Sequence, residues 1–222
     1  MFNSVRDFFA YIDSQKINYI VLRNYEDFER DDFLMDGHAD IDMLCSDRKH
    51  LRKILGVGNG NVHCRIEIAN QNVQIDIRET GDGYYCREWE EDMLSKKRMY
   101  KDICYVMDDE TYFYSLIYHA LIHKYSVSDE YLQRFTIMGR NPDINIEVRE
   151  DNLLKILETY MLSHGYRYTY TSNPGSIVNF RHKGLTKSMI QGNMPVQMRR
   201  AAFRFKRRIK TTVKKILKLT KG

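Results

Sequence analysis

The sequence predicts an α+β fold whose second half is helical. Short runs rich in β-branched and aromatic residues fall mainly within residues 1–108, and helical spacing of apolar residues takes over from residue 109. Beyond residue 197, apolar side chains recur every three or four positions among Lys and Arg. A mixed first half of strands and helices, followed by a helical second half, is typical of an α+β protein. We therefore predict an α/β domain over 1–108, a helical accessory region over 109–197 and a basic amphipathic tail helix over 198–222.

Composition limits the class of protein. The 222 residues are 43% hydrophobic and 29% charged, which is enough apolar material for a sizeable core and argues against disorder. No run of about 18 apolar residues is present, so we expect no membrane-spanning helix, and the N-terminus does not resemble a secretory signal. The four cysteines form no CxxC pair, which favours reduced thiols in a cytoplasmic protein.

The first half alternates helical and extended patterns. Ser4 or Asn3 can cap a first helix in which apolar residues from Val5 to Ile12 share one face. Ser46 is placed to cap a second helix, and a third is centred on Trp89. The predicted strands are 17–23, 39–45, 64–69, 73–78 and 103–107, with Asn70-Gln71-Asn72 as the turn of a hairpin.

Helical periodicity dominates after Asp108. It predicts helices over 109–125, 128–138 and 151–164. The alternation of Tyr166, Tyr168 and Tyr170 is typical of a strand. For these tyrosine side chains we favour a packing role over stacking against a ligand.

Charge divides the chain unevenly. The net charge is +5, but the last acidic residue is Glu158, and residues 159–222 carry 15 Lys/Arg. Eleven of these lie within 199–221. Such asymmetry predicts a basic segment that meets an anionic partner.

The basic tail is also amphipathic. Its apolar residues form one helical stripe, and most of the basic residues lie on the rest of the helix surface. The stripe consists of Ala202, Phe205, Ile209, Val213, Ile216 and Leu219. A basic helix with an apolar face favours an anionic membrane surface, at the inner face of the cytoplasmic membrane. Docking of the stripe on the domain itself and binding to nucleic acid are the two less favoured alternatives.

Two acidic residues in a predicted strand are the sharpest chemical signal. Asp40 and Asp42, in the run ADIDMLC, project from one face while Ile41 and Met43 enter the core. Neighbouring carboxylates repel each other unless a cation lies between them, and Mg²⁺ (or Mn²⁺) suits oxygen ligands. Alone the pair is a weak motif, because two acids on an exposed sheet face give the same pattern.

A third acid strengthens the motif. Asp76 lies on the polar face of the later hairpin strand, in the run VQIDIR. If the two strands are neighbours, Asp76 joins Asp40 and Asp42. Three such carboxylates can bind metal and activate a hydroxyl for attack on phosphorus.

These motifs resemble those of the polymerase-β-like nucleotidyltransferase superfamily. The likeness extends over about residues 1–110 and is nearest to divergent bacterial members associated with surface-polysaccharide biosynthesis; it rests on the runs IVLRNY and DIDML together with Asp76. The resemblance implies a twisted mixed sheet flanked by helices, with Asp40, Asp42 and Asp76 as catalytic metal ligands. It further implies transfer of a nucleotidyl or related phosphoryl group from a nucleotide or phosphorylated sugar to a hydroxyl of a saccharide or lipid-linked acceptor.

The chain departs from the family where the donor is held. Family members have Gly-Gly or Gly-Ser after the first strand, whereas this sequence has Arg23-Asn24. Arg23 matches phosphate geometry and is a candidate donor ligand, with a salt bridge to the acidic loop as an equal alternative. Asn24 and His38 are the other candidate donor-binding residues.

His119 and His123 lie four residues apart on one predicted helix. We favour hydrogen-bonded structural histidines, followed by substrate-phosphate contact by His119, His123 or Lys124.

Of the possible functions, the sequence thus favours an enzyme, a magnesium-dependent transferase. The alternatives are a nucleic-acid-binding or RNA-modifying protein that uses the tail, and a catalytically inactive relative that acts as an interaction module.

Overall fold

The computed structural model describes residues 2–30, 40–58, 60 and 62–219, with side chains described through residue 212. Within these ranges the protein has seven α-helices and a six-stranded mixed sheet, so the α+β class is confirmed. The strands are β1 Tyr19–Arg23, β2 Asp40–Cys45, β3 His63–Ile68, β4 Gln71–Glu79, β5 Arg98–Tyr100 and β6 Cys104–Val106. The helices are α1 Val5–Ser14, α2 Arg48–Ile54, α3 Arg87–Ser95, α4 Asp109–Ile122, α5 Asp129–Gly139, α6 Leu153–Ser163 and α7 Met194–Leu219.

The sheet has the strand order β3-β4-β2-β1-β6-β5. The two central acid-bearing strands, β2 and β4, run parallel, and β1 is antiparallel to β2 and parallel to β6. Two antiparallel pairs, β3 with β4 and β5 with β6, complete its edges. The strands predicted from sequence therefore meet as neighbours in the sheet, and β5 is a short edge strand that the sequence pattern did not reveal.

Helix caps follow the local sequence with one correction. Ser4 accepts a hydrogen bond from the Asp7 amide and caps α1, whose buried residues are Val5, Phe8, Phe9 and Ile12, as predicted. The predicted Ser46 cap of α2 is wrong. Asp47 holds that place and accepts from the His50 amide, because a carboxylate one residue later reaches the same free N–H groups.

The hairpin β3–β4 turns more tightly than predicted. Its two connecting residues, Ala69 and Asn70, have φ of 51° and 60°. Two successive residues with positive φ are the geometry that matches the right-handed twist of a two-residue hairpin. Gln71 and Asn72 are consequently part of β4, and the three-residue turn predicted at 70–72 is wrong.

The segment after α6 is not the strand that alternating tyrosines indicated. Tyr168 makes a single bridge with Ile190, and the backbone around it is irregular. Tyr166 and Tyr168 are nonetheless buried, as packing residues would be.

One hydrophobic core includes residues from both halves of the chain. Trp89 of α3 is fully buried, and its ring stacks on Tyr166 with centroids 5.0 Å apart. Tyr118 of α4 and Tyr160 of α6 contact the same indole. Trp89 therefore joins the sheet-bearing half to the helical half. The division at residue 108 stays a prediction.

Helix α7 extends over 26 residues. Among the described residues, no helix has the length and apolarity needed to cross a membrane.

Candidate functional site

A charged row of side chains crosses four adjacent strands of the sheet. Strand register places Arg23 opposite Asp42, Asp42 beside Asp76, and Asp76 opposite His63. Side chains at one level of neighbouring strands project from the same face. We call these four residues the charged rung. Its order across β1, β2, β4 and β3 is cation, carboxylate, carboxylate, imidazole.

An irregularity in β1 creates the first member of the rung. Val21 pairs with Met43 and Arg23 pairs with Asp42, so the β1 register shifts by one residue between Val21 and Arg23. In a regular strand Arg23 would share the core-facing side of Val21, and a bulge reverses this. Asn24 follows with φ of 59°, in the left-handed region that glycine adopts most easily.

Arg23 and Asp42 form a buried ion pair. Their closest N–O distance is 2.7 Å, and the Asp42 side chain is 3% exposed. Burial raises the pKa of Asp42 to about 6, Arg23 offsets part of this rise, and the neighbouring Asp40 and Asp76 add to it. Burial alone would lower the pKa of Arg23, but the Asp42 carboxylate raises it overall. Burial and repulsion by two neighbouring carboxylates therefore both raise the pKa of Asp42.

Asp76 has partners on its own side of the rung. One of its carboxylate oxygens contacts His63 Nδ1 and accepts from the Gln74 amide at 3.3 Å. Asp76 is largely buried, whereas the His63 side chain is 55% exposed. The two central carboxylates are therefore each paired outward, Asp42 toward β1 and Asp76 toward β3.

Asp40 completes the carboxylate set that the sequence predicted. It lies two residues before Asp42 in β2, on the same face, and is partly exposed. Oxygen donors on adjacent strands suit a hard divalent cation in chemistry. As the side chains are placed, no three His, Cys, Asp or Glu residues in the described ranges are grouped closely enough to hold a metal ion. A cation at this position would require Asp42 and Asp76 to turn from Arg23 and His63.

Asn24 is held by the helical half of the chain. Its backbone N–H donates to the Tyr112 hydroxyl at 3.3 Å, and its side-chain oxygen accepts from Arg134 at 3.1 Å. Beside it, a cavity of about 630 Å³ separates the turn Tyr25–Glu29 from α5. Four acidic residues line this cavity against two arginines, so its net charge opposes a polyphosphate. The predicted donor ligand His38 lies outside the described residues.

The paired histidines of α4 are structural in their contacts. His119 Nδ1 lies 2.6 Å from the Tyr84 hydroxyl, and the His123 ring stacks on Tyr84 at 3.8 Å. Both His123 nitrogens lie within hydrogen-bond distance of backbone carbonyls, those of Ile177 and Tyr84. Burial lowers the pKa of both histidines, that of His123 to about 3. Lys124, predicted with them, is exposed.

A second, smaller cavity of about 300 Å³ lies beyond the His63 end of the rung. Arg78, two residues after Asp76 on β4, lines it and is 7% exposed. The Arg78 guanidinium stacks on Tyr84 at 3.9 Å and donates to Asp82 at 3.5 Å and to the Ser176 hydroxyl at 3.3 Å.

The structure thus brings Arg23, Asp40, Asp42 and Asp76 to one face of the sheet. It places Asn24 at the β1 end of that region. Sequence reasoning missed His63, Arg134 and the loop around Ser176. His63 was detectable in principle from a correct hairpin register; the other two approach the site through tertiary packing alone.

Comparison with known proteins adds no identification. No protein-family model matches the chain, and no curated protein is significantly similar to it.

Proposed function

We propose that this protein is a divalent-metal-dependent transferase of the nucleotidyltransferase type. It moves a nucleotidyl or related phosphoryl group from a nucleotide or phosphorylated sugar to a hydroxyl of a saccharide or lipid-linked acceptor. The observation that carries the proposal is the adjacency of Asp42 and Asp76 on parallel strands, with Asp40 on the same face. Mg²⁺ or Mn²⁺ bound by these carboxylates would polarise the phosphoryl oxygens and favour ionisation of the acceptor hydroxyl.

The residues around the carboxylates have defined parts in this proposal. Arg23 neutralises Asp42 in the free protein, and its guanidinium becomes available to donor phosphate oxygens when Asp42 turns away. His63 and Gln74 orient Asp76. Asn24 supplies the left-handed backbone conformation at the position where the resembling family has glycine.

The test is a binding screen of nucleoside triphosphates and sugar nucleotides, by calorimetry, with and without Mg²⁺. We expect at least one donor to bind only when Mg²⁺ is present. Binding of no donor under either condition would favour the second candidate, an inactive relative that acts as an interaction module. The specific observation behind that candidate is that Asp42 and Asp76 are already paired with Arg23 and His63.

Helix α7 supports a location for the enzyme at an anionic membrane surface. Phe205 and Ile209, in the described part of its apolar stripe, are 66% and 47% exposed. Arg200, on the other side of the helix, is 2% exposed and donates to the carbonyls of Thr171, Asn173 and Ser176. The helix is therefore attached through a basic residue, and the described stripe faces away from the protein body. We propose that the stripe and the flanking Lys and Arg bind the inner surface of the cytoplasmic membrane.

Vesicle sedimentation tests this location. The full chain should sediment with phosphatidylglycerol vesicles and far less with phosphatidylcholine vesicles. Phe205→Ser should weaken binding by at least about tenfold, because burial of a Phe side chain contributes roughly 1.5–3 kcal/mol and about 1.4 kcal/mol corresponds to tenfold. Phe203→Ser is the matched control, since Phe203 lies two residues away, about 200° around the helix, and is 40% exposed.

Equal losses in the two variants, or no vesicle binding by the wild type, would contradict the membrane assignment. Affinity for a DNA or RNA duplex that falls steeply with salt, in place of vesicle binding, would instead support the nucleic-acid alternative.

A further inference from the structure

The cavity beyond His63 is rich in hydrogen-bond donors. Arg78, Asn173 and Ser176 line it together with His63, and none of its lining residues is Asp or Glu. The loop that carries Asn173 and Ser176 is held in place by Arg200, which donates to three of its carbonyls at 2.5–3.0 Å. The cavity is thus a built feature, with a wall fixed from the α7 side.

Arg78 is the charged group of this cavity. Its two side-chain hydrogen bonds, to Asp82 and Ser176, are both long, at 3.5 and 3.3 Å. The remaining N–H groups of the guanidinium have no acceptor in the part of the chain that the structure describes. A guanidinium with unused donors next to an open space favours an anionic ligand, because its paired N–H groups match the oxygens of a phosphate group.

The other polar groups point to the same chemistry. The Asn173 side-chain oxygen accepts from the Gly175 amide, which leaves its NH₂ group as the part without a described partner. Ser176 receives a hydrogen bond from Arg78 and keeps its own O–H to donate. Donors therefore outnumber free acceptors around a volume of about 300 Å³, which suits a phosphate group carrying a small substituent.

We propose that this cavity binds a phosphate group of the acceptor substrate, with Arg78 as its principal ligand. The inference rests on the proposed transferase function and deepens it. The cavity lies on the Asp76 side of the charged rung, whereas Arg23 and Asn24 lie on the opposite side. A phosphate bound by Arg78 positions an attached acceptor hydroxyl toward Asp76, and the acceptor class is a phosphorylated saccharide or a phosphate-bearing lipid-linked carrier.

The experiment measures phosphate binding by the full chain without metal, using amide chemical shifts and calorimetry. The probes are inorganic phosphate, a hexose 1-phosphate and, as a neutral control, the free hexose. We expect both phosphates to shift the Gly175 and Ser176 amides and the free hexose to leave them unchanged. Arg78→Ala should weaken binding at least about tenfold, while Arg87→Ala, which removes an equal charge at an exposed position, should not.

Further arms identify the source of the phosphate and guard against misfolding. A short-chain prenyl phosphate in neutral micelles that binds more tightly than the hexose 1-phosphate assigns a lipid-linked acceptor, and the reverse order assigns a soluble sugar phosphate. If Arg78→Ala fails to fold, the double variant Asn173→Ala/Ser176→Ala, which keeps Arg78, replaces it as the test. We expect this double variant to weaken phosphate binding several-fold.

The two proposals can fail separately. Phosphate binding that is unchanged in both the Arg78 and the loop variants overturns the cavity assignment, even if the metal-dependent donor screen succeeds. Phosphate binding that requires Arg78 but survives Asp42→Asn supports the cavity, whatever the donor screen shows.

Discussion

Asp42→Asn is expected to abolish metal-dependent group transfer while the protein remains folded. The asparagine oxygen can still accept from Arg23, so the buried contact keeps a hydrogen bond, but the charge that attracts a divalent cation is lost. We expect activity to fall by more than about 100-fold, since changes even to groups that orient metal ligands cost 10–100-fold. The measurement is transfer from the donor identified in the Mg²⁺ screen.

Asp143→Asn is the matched control, because Asp143 is exposed and lies away from the sheet. This substitution removes the same charge as Asp42→Asn. Its activity should equal that of the wild type. Circular dichroism should be unchanged in both variants. If Asp42→Asn retains more than about a third of wild-type activity, Asp42 is not a metal ligand and the charged rung is a structural ion-pair row.

Among the substitutions proposed here, Trp89→Ala is expected to cause the largest decrease in the free energy of unfolding. The side chain is fully buried among Tyr85, Tyr118, Tyr160 and Tyr166, so its removal opens a cavity where the two halves of the chain meet. Truncation of a buried Trp typically costs about 3–5 kcal/mol. Urea unfolding should show that decrease in the free energy of unfolding.

Two further variants sharpen this test. Trp89→Phe should lose much less, because it keeps a ring and removes an indole N–H that has no acceptor among the described residues. Leu162→Ala, at a 58% exposed position of α6, should change the free energy of unfolding by no more than about 0.5 kcal/mol. A loss below about 1 kcal/mol for Trp89→Ala would show that Trp89 does not join the two halves.

Much of the sheet could be predicted from local pattern. Alternation of acidic and apolar residues in ADIDMLC is sufficient to place Asp40 and Asp42 on one face, because strand side chains alternate with period two. The same logic gave the face of Asp76 within its hairpin. That β2 and β4 are neighbours was expected only through the family resemblance, since strand order is a long-range property.

The partners of the carboxylates could not be predicted, because they depend on the register between neighbouring strands. A three-residue turn at 70–72 would place Ile66 opposite Asp76, whereas the observed turn at Ala69-Asn70 brings His63 there. The irregularity in β1 likewise turns Arg23 toward Asp42. A shift of one residue reverses the face of a side chain, so small errors in turn length change the site completely.

Direct metal binding tests the central claim, that Asp40, Asp42 and Asp76 together bind a divalent cation. Electron paramagnetic resonance of a Mn²⁺ titration reports free and bound metal on the isolated protein. We predict that the wild type binds Mn²⁺ in competition with Mg²⁺, and that Asp42→Asn and Asp76→Asn each weaken binding more than about tenfold while Asp143→Asn does not. Absence of bound Mn²⁺ at millimolar concentration, or equal affinity in wild type and both site variants, would contradict the claim.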